Sequence, residues 1–188
     1  MKIIFIRHGE PDYSHVAKRG FVGLGLNLAH LSKEGEAQAT AAAEDARLDG
    51  ARLILASPYA RALHTAAIIS RRRNLPIEVE LDLHEWLPDL TFTYKTDEEV
   101  VRAGKMLLAN KGICPPDSLL KYEELESVFT RANAVLQKYQ EYGKIIVVAH
   151  AILIRQFAFA SKIPYCGISE VEWNESFTWS GWVSEDRP

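Results

Sequence analysis

Apolar residues along this chain fall alternately into short unbroken runs and longer stretches with helical spacing. Residues 2–6 form an apolar run too short for a helix and bounded by Gly9 and Pro11, which predicts a buried first strand. The Ala- and Glu-rich residues 33–48, preceded by Ser32 as N-cap, predict a helix. A second short run at 53–56 leads into Ser57-Pro58, a helix start signal, and so into a helix over 59–72. Residues 77–83 alternate apolar and polar, the pattern of a half-exposed strand at a sheet edge.

After an irregular stretch at 86–94, Thr96-Asp97-Glu98-Glu99 has the form of a capping box and opens a helix to Asn110. Pro115-Pro116 reads as a corner, and a second amphipathic helix is expected over 122–142, ended by Gly143. Residues 144–149 make the most strongly apolar strand, followed by a helix over 151–161. Alternating stretches at 171–173 and 177–182 flank Asn174-Glu175 and predict a closing hairpin. Strands alternating with helices imply an α/β fold, a three-layer sandwich with a mainly parallel sheet covered by helices on both faces. No repeat, low-complexity tract or linker divides it, so residues 1–188 read as a single domain.

Composition narrows the functional classes. With 188 residues, 47% hydrophobic and 25% charged, and mean hydropathy near zero, the chain has the makeup of a soluble globular domain. A net charge of −3 gives no general attraction to nucleic acid or anionic lipid, so any anion affinity must be local. The two cysteines, Cys114 and Cys166, match neither a disulfide framework nor a metal spacing. The first apolar run is too short for a signal peptide, and residues 145–154 are interrupted by His150 and about half the length a bilayer requires. A cytoplasmic protein without membrane or nucleic-acid partners is expected, its oligomeric state unspecified.

Candidate chemistry follows from topology, because ligands of open α/β sheets bind beyond the carboxyl ends of the strands. The first strand ends in Arg7-His8, the second leads through Ser57-Pro58 to Arg61, the third ends in His84-Glu85, and the fourth ends at His150. Arginines, histidines and a glutamate thus converge on one edge, with neither metal-ligand spacing nor a Gly-rich nucleotide loop beside them. Guanidinium forks and helix starts near Pro58 and Ala151 suit a phosphoryl group, so a small phosphorylated molecule is the expected partner. A histidine, an arginine pair and a carboxylic acid are what phosphoryl transfer needs. Periodicity alone does not choose between His8 and His150 as nucleophile.

Five motifs carry a family resemblance: Arg7-His8-Gly9-Glu10, Leu31-Ser32-x-x-Gly35-x-x-Gln38-Ala39, Ser57-Pro58-x-x-Arg61-Ala62-x-x-Thr65-Ala66, Leu83-x-Glu85 and Val147-Val148-Ala149-His150. In this order, across residues 2–160, the chain resembles the histidine phosphatase (phosphoglycerate mutase-like) superfamily. The resemblance implies that His8 is phosphorylated and then hydrolysed, that Arg7, Arg61 and His150 hold the phosphoryl oxygens, and that Glu85 donates a proton. It also implies a reaction without metal or other cofactor. For those roles His8 must be neutral, with guanidiniums pressing its pKa down, and Glu85 must have its pKa raised by burial against Trp86 and Leu87.

Departures from the family pattern bear on the outcome of the reaction. Members with mutase activity carry Ser or Thr after the first-motif Glu and an Asn beyond it, where this chain has Pro11 and Ser14-His15. Ala151 replaces the usual Gly after the second histidine, His64 replaces a Gln, and the chain is shorter than the glycolytic mutases. Hydrolysis of a small phosphate monoester is the expected activity, with a phosphoglycerate-type mutase or a phosphate-binding regulatory protein as alternatives. His15, Arg19 and His64 read as solvated, and Arg71-Arg72-Arg73 as a solvated helix end. Trp173, Trp179 and Trp182 read as packing for the hairpin, and residues 11–30 and 86–118 as the source of specificity.

Overall fold

Alternate side chains of the central strands enter two separate apolar layers, which is what a sheet buried on both faces requires. The computed structural model describes residues 1–158, 160–179 and 181. Its sheet comprises β1 (Lys2–Arg7), β2 (Ile54–Ala56), β3 (Ile77–Val79), β4 (Lys144–Ala149) and β5 (Ile168–Glu172), in the order β3-β2-β4-β1-β5. All pairings are parallel except that of β5 with β1. Ile4, Ile6, Ile54, Ala56, Ile146 and Val148 pack under α2 (Lys33–Ala43) and α3 (Ala60–Arg73). Ile3, Phe5, Leu55, Ile145 and Val147 face α4 (Asp97–Ala109), α5 (Leu125–Gln137) and α6 (Ala151–Arg155). A short α1 (Ser14–Ala17) and a 3₁₀ segment at Gly23–Leu28 lie between β1 and α2.

Two predicted caps form: Ser32 accepts from the Gly35 N–H, and Thr96 and Glu99 close a capping box. Several predicted elements are longer than the real ones. The helix expected to reach residue 48 ends at Ala43, because Asp45 accepts from the Arg47 N–H and starts a separate turn that buries Leu48. The third strand stops at Val79: its partner β2 has only three residues, and Leu81–Leu83 turn inward to bury Leu83. α5 occupies only Leu125–Gln137, with a 3₁₀ turn at Gln140–Tyr142 and Gly143 at φ 71°. α6 ends at Arg155, whose guanidinium turns back to the carbonyls of Ala160 and Ser161.

Two further expectations are corrected. Residues 168–172 pair antiparallel with β1 instead of forming a local hairpin, and 177–179 are not a strand; Ser180 and Trp182 lie outside the described residues. Trp173 is buried in the main core with Nε1 donating to Asn133, and Trp179 donates to Gln156. Arg73 is not a free helix-end cation, since it donates to the carbonyls of Ala43 and Asp45 and pairs with Asp49, tying α3 to the end of α2. Cys114 and Cys166 are both free thiols.

Candidate active site

The sheet order makes β4 and β1 neighbours, so the ends of these two strands set His150 and His8 side by side, with ring centroids 5.1 Å apart. Both are buried. Nδ1 of His8 lies 2.7 Å from the carbonyl oxygen of Gly9, an acceptor only, so Nδ1 carries the hydrogen and Nε2 is left with its lone pair. Arg61 donates from Nε to that lone pair at 3.2 Å. Burial first, then the charges of Arg61 and Arg7, lower the His8 pKa to about 3, and the ring is neutral throughout the physiological range.

Arg61, in the first turn of α3, is only 6% exposed and spans the site. Its other nitrogens reach Oδ1 of Asn27 at 2.9 Å and Nδ1 of His150 at 3.4 Å. Because a guanidinium only donates, Nδ1 of His150 accepts and Nε2 donates to Ser57 Oγ at 2.8 Å. His150 is therefore also neutral, its pKa held well below the usual histidine value by burial and by Arg61. The N-cap of α3 is Tyr59, in extended backbone, and Ser57 Oγ accepts from both the His150 Nε2–H and the Tyr59 N–H.

Arg7 lies beside this group without lining the cavity. It donates to the Ile163 carbonyl at 2.6 Å and stacks 4.2 Å over the ring of Tyr165, which stands 5.7 Å from the His8 ring. Its buried Nε has no hydrogen-bond partner among the described residues. Glu85 lines a cavity of about 390 Å³ together with Arg61, Asn27 and Tyr59. Its carboxyl accepts from the N–H groups of Trp86 at 2.9 Å and of Ile152 and Leu153 at 3.4 Å each. Burial outweighs these donors and raises its pKa above the ordinary carboxylate value.

The second motif braces the first. Gly9 and Gly35 meet backbone to backbone, and a Cβ on Gly35 would stand 2.2 Å from the Glu10 carbonyl oxygen. Ser32 Oγ donates to the Glu10 carboxylate, the Gln38 side chain accepts from the Glu10 N–H, and Thr65 Oγ1 accepts from the Gly9 N–H. The loop bearing Glu85 is held by Arg131, which pairs with buried Glu123 at 2.7 Å and donates to the carbonyls of His84 and Glu85.

Asn27, Ser57, Tyr59, Tyr165 and Arg131 were not singled out in the sequence as site residues. A lone Asn within the apolar run Gly23–Leu28 is the one local signal among them. His15, Arg19 and His64 do not line the cavity: His15 stacks on His30 at 4.1 Å, and His64 meets the Leu31 N–H. Among the described residues no three His, Cys, Asp or Glu side chains are grouped to hold a metal ion, and no helix is long and apolar enough to cross a membrane.

Comparison with known proteins gives the same fold. The family model described as histidine phosphatase superfamily (branch 1) matches residues 3–179. The probable phosphoglycerate mutase GpmB of Enterobacter sp. (strain 638) is 28% identical, with 98% of this chain and 91% of the relative covered. Among solved structures, mycobacterial glucosyl-3-phosphoglycerate phosphatase Rv2419c aligns with a TM-score of 0.69 at 20% identity, covering 97% of this chain and 98% of the other. The α-ribazole phosphatase of Shigella flexneri aligns at 0.66 and 20% identity, covering 94% and 93%.

Proposed function

The chain belongs to branch 1 of the histidine phosphatase superfamily, and from that premise we propose that it is a metal-independent phosphomonoesterase working through a phosphohistidine on His8. The observation that carries this reading is the tautomer of His8: a buried, neutral ring with Nδ1 tied to a carbonyl and Nε2 bare except for Arg61. Nε2 attacks phosphorus in line, and the P–O bond to the leaving alcohol breaks. Arg61 transfers its donors from His8 and His150 to the equatorial oxygens, where negative charge is spread in the transition state. Arg7 contributes beside it, and His150, whose Nδ1 accepts from Arg61, orients that fork.

Glu85 gives its proton to the leaving oxygen, a role its raised pKa supports. The carboxylate so formed takes a proton from water as the water attacks the phosphohistidine, releasing phosphate and restoring the acid. Hydrolysis rather than mutase transfer is favoured by Pro11 and Ser14-His15 at the positions that differ from mutases. The test is phosphate release from a panel of phosphate monoesters in the presence of a chelator, with acid-labile, alkali-stable label trapped on the protein. His8→Ala should abolish both signals, and a variant keeping most of the activity would overturn the mechanism.

A further inference from the structure

Apart from Asn27, the cavity that carries Arg61 and Glu85 is walled mainly by aromatic and apolar side chains. The rings of Tyr59, Trp86 and Tyr94 and the side chains of Leu87, Val100 and Ile152 form its wall. Arg61 is the only cation lining it among the described residues, and in the proposed reaction its donors go to the phosphoryl oxygens. Two adjoining depressions share this wall, one through Asn27, Tyr94 and Val100, the other through Asn27, Tyr59 and Leu87. Neither adds a lysine or arginine. Their charged linings are Asp97 in the first and Asp82 in the second, with His84 held toward its neutral form by burial and by Arg131.

A carboxylate on the leaving group would therefore give up its water with no cation to receive it, and would meet acidic side chains further out. A flat uncharged group finds rings to stack on and apolar side chains to cover it. We propose that the phosphate monoester taken by this site has an uncharged leaving alcohol bearing a flat ring, and that carboxylated phosphate esters are discriminated against. This refinement rests on the phosphatase reading above, since it takes the cavity beside Glu85 as the place of the leaving group.

Two non-hydrolysable ligands matched in length, phenylpropyl phosphonate and carboxyphenylpropyl phosphonate, separate the possibilities by calorimetric titration. The uncharged ligand is expected to bind at least about tenfold more tightly, a difference of about 1.4 kcal/mol. Gly104 lines the same cavity on α4, and a Cβ there meets no atom within 4 Å, so Gly104→Lys adds a cation to the wall without a clash. That variant should close or reverse the gap. Equal affinity of the two ligands for the unmodified protein, or a gap untouched by Gly104→Lys, overturns the assignment. Absence of turnover for the matching phosphates would instead defeat the phosphatase reading, while the affinity ratio would still decide the leaving-group preference.

Discussion

Nε of Arg61 stands 3.2 Å from Nε2 of His8, so the guanidinium occupies the lone pair that the proposed reaction uses. The same contact is the second cause, after burial, of the low His8 pKa. Arg61→Gln removes both the fork and the charge. Its kcat/KM should fall by about 10²–10³, as for loss of a transition-state donor. The His8 titration, followed by ring NMR, should move upward. An unmoved titration would mean that burial alone sets the pKa.

Acid should destabilise this protein earlier than its carboxylates alone would predict. His8 and His150 have folded pKa values below the unfolded value, so the unfolded chain binds their protons first. Their contribution to stability is complete above about pH 6.5 and shrinks on acidification, by about 1.4 kcal/mol per pH unit for each fully buried ring. Urea unfolding at pH 7, 6 and 5 checks this. His8→Ala should remove about 1.4 kcal/mol per pH unit from the dependence, and an unchanged slope would refute the assignment.

Glu85 should have the opposite sign. Its raised folded pKa means that stability is fully present below the unfolded value and is lost as pH rises through the folded one. Glu85→Gln is expected to melt higher than the parent near pH 8 and to lose that advantage near pH 4; each kcal/mol recovered is worth about 2–4 °C in a chain of this size. In kcat/KM, which reports phosphorylation of His8, the variant should lose about 10²–10⁴ with alkyl phosphates and much less with aryl phosphates, which leave without a proton. For the parent protein, turnover of alkyl phosphates should fall as pH rises past the Glu85 titration.

Gly35→Ala places a methyl group where the Glu10 carbonyl oxygen already sits, 2.2 Å away. Backbone must move, and both motifs move with it. A loss of about 2–3 kcal/mol in stability is expected, in the upper range of overpacking costs, together with a fall in activity. Gly104→Ala is the control: it meets nothing and should be neutral or slightly stabilising in its helix. Chemical denaturation of the two variants side by side decides the matter.

The strands and the gathering of His8, Arg61, Glu85 and His150 were legible because both depend on simple regularities. Buried strands read as short apolar runs, and a parallel sheet brings the ends of its strands to one edge. Helix ends were overread wherever a side chain started a competing turn, as Asp45 does. Ser57 looked like a cap because local sequence contains no trace of His150, its partner across the sheet. The terminal alternation was likewise real, but alternation does not name a partner, and residues 168–172 found β1. Asn27 sits in a short 3₁₀ segment, Tyr59 at a helix entry and Tyr94 in a loop, places too short or irregular for side chains to show a period.

The adjacency of β1 and β4 sets a condition on the life of the molecule in time. Lys2 pairs with Lys144 and Arg7 with Ala149, so the first strand waits for a partner far along the sequence. Contacts of such long sequence separation form late and slowly. During synthesis, His8 leaves the ribosome long before His150, and the proposed anion cradle is incomplete until the stretch between them has followed. Under the proposed function, phosphate affinity is thus a readout of finished folding.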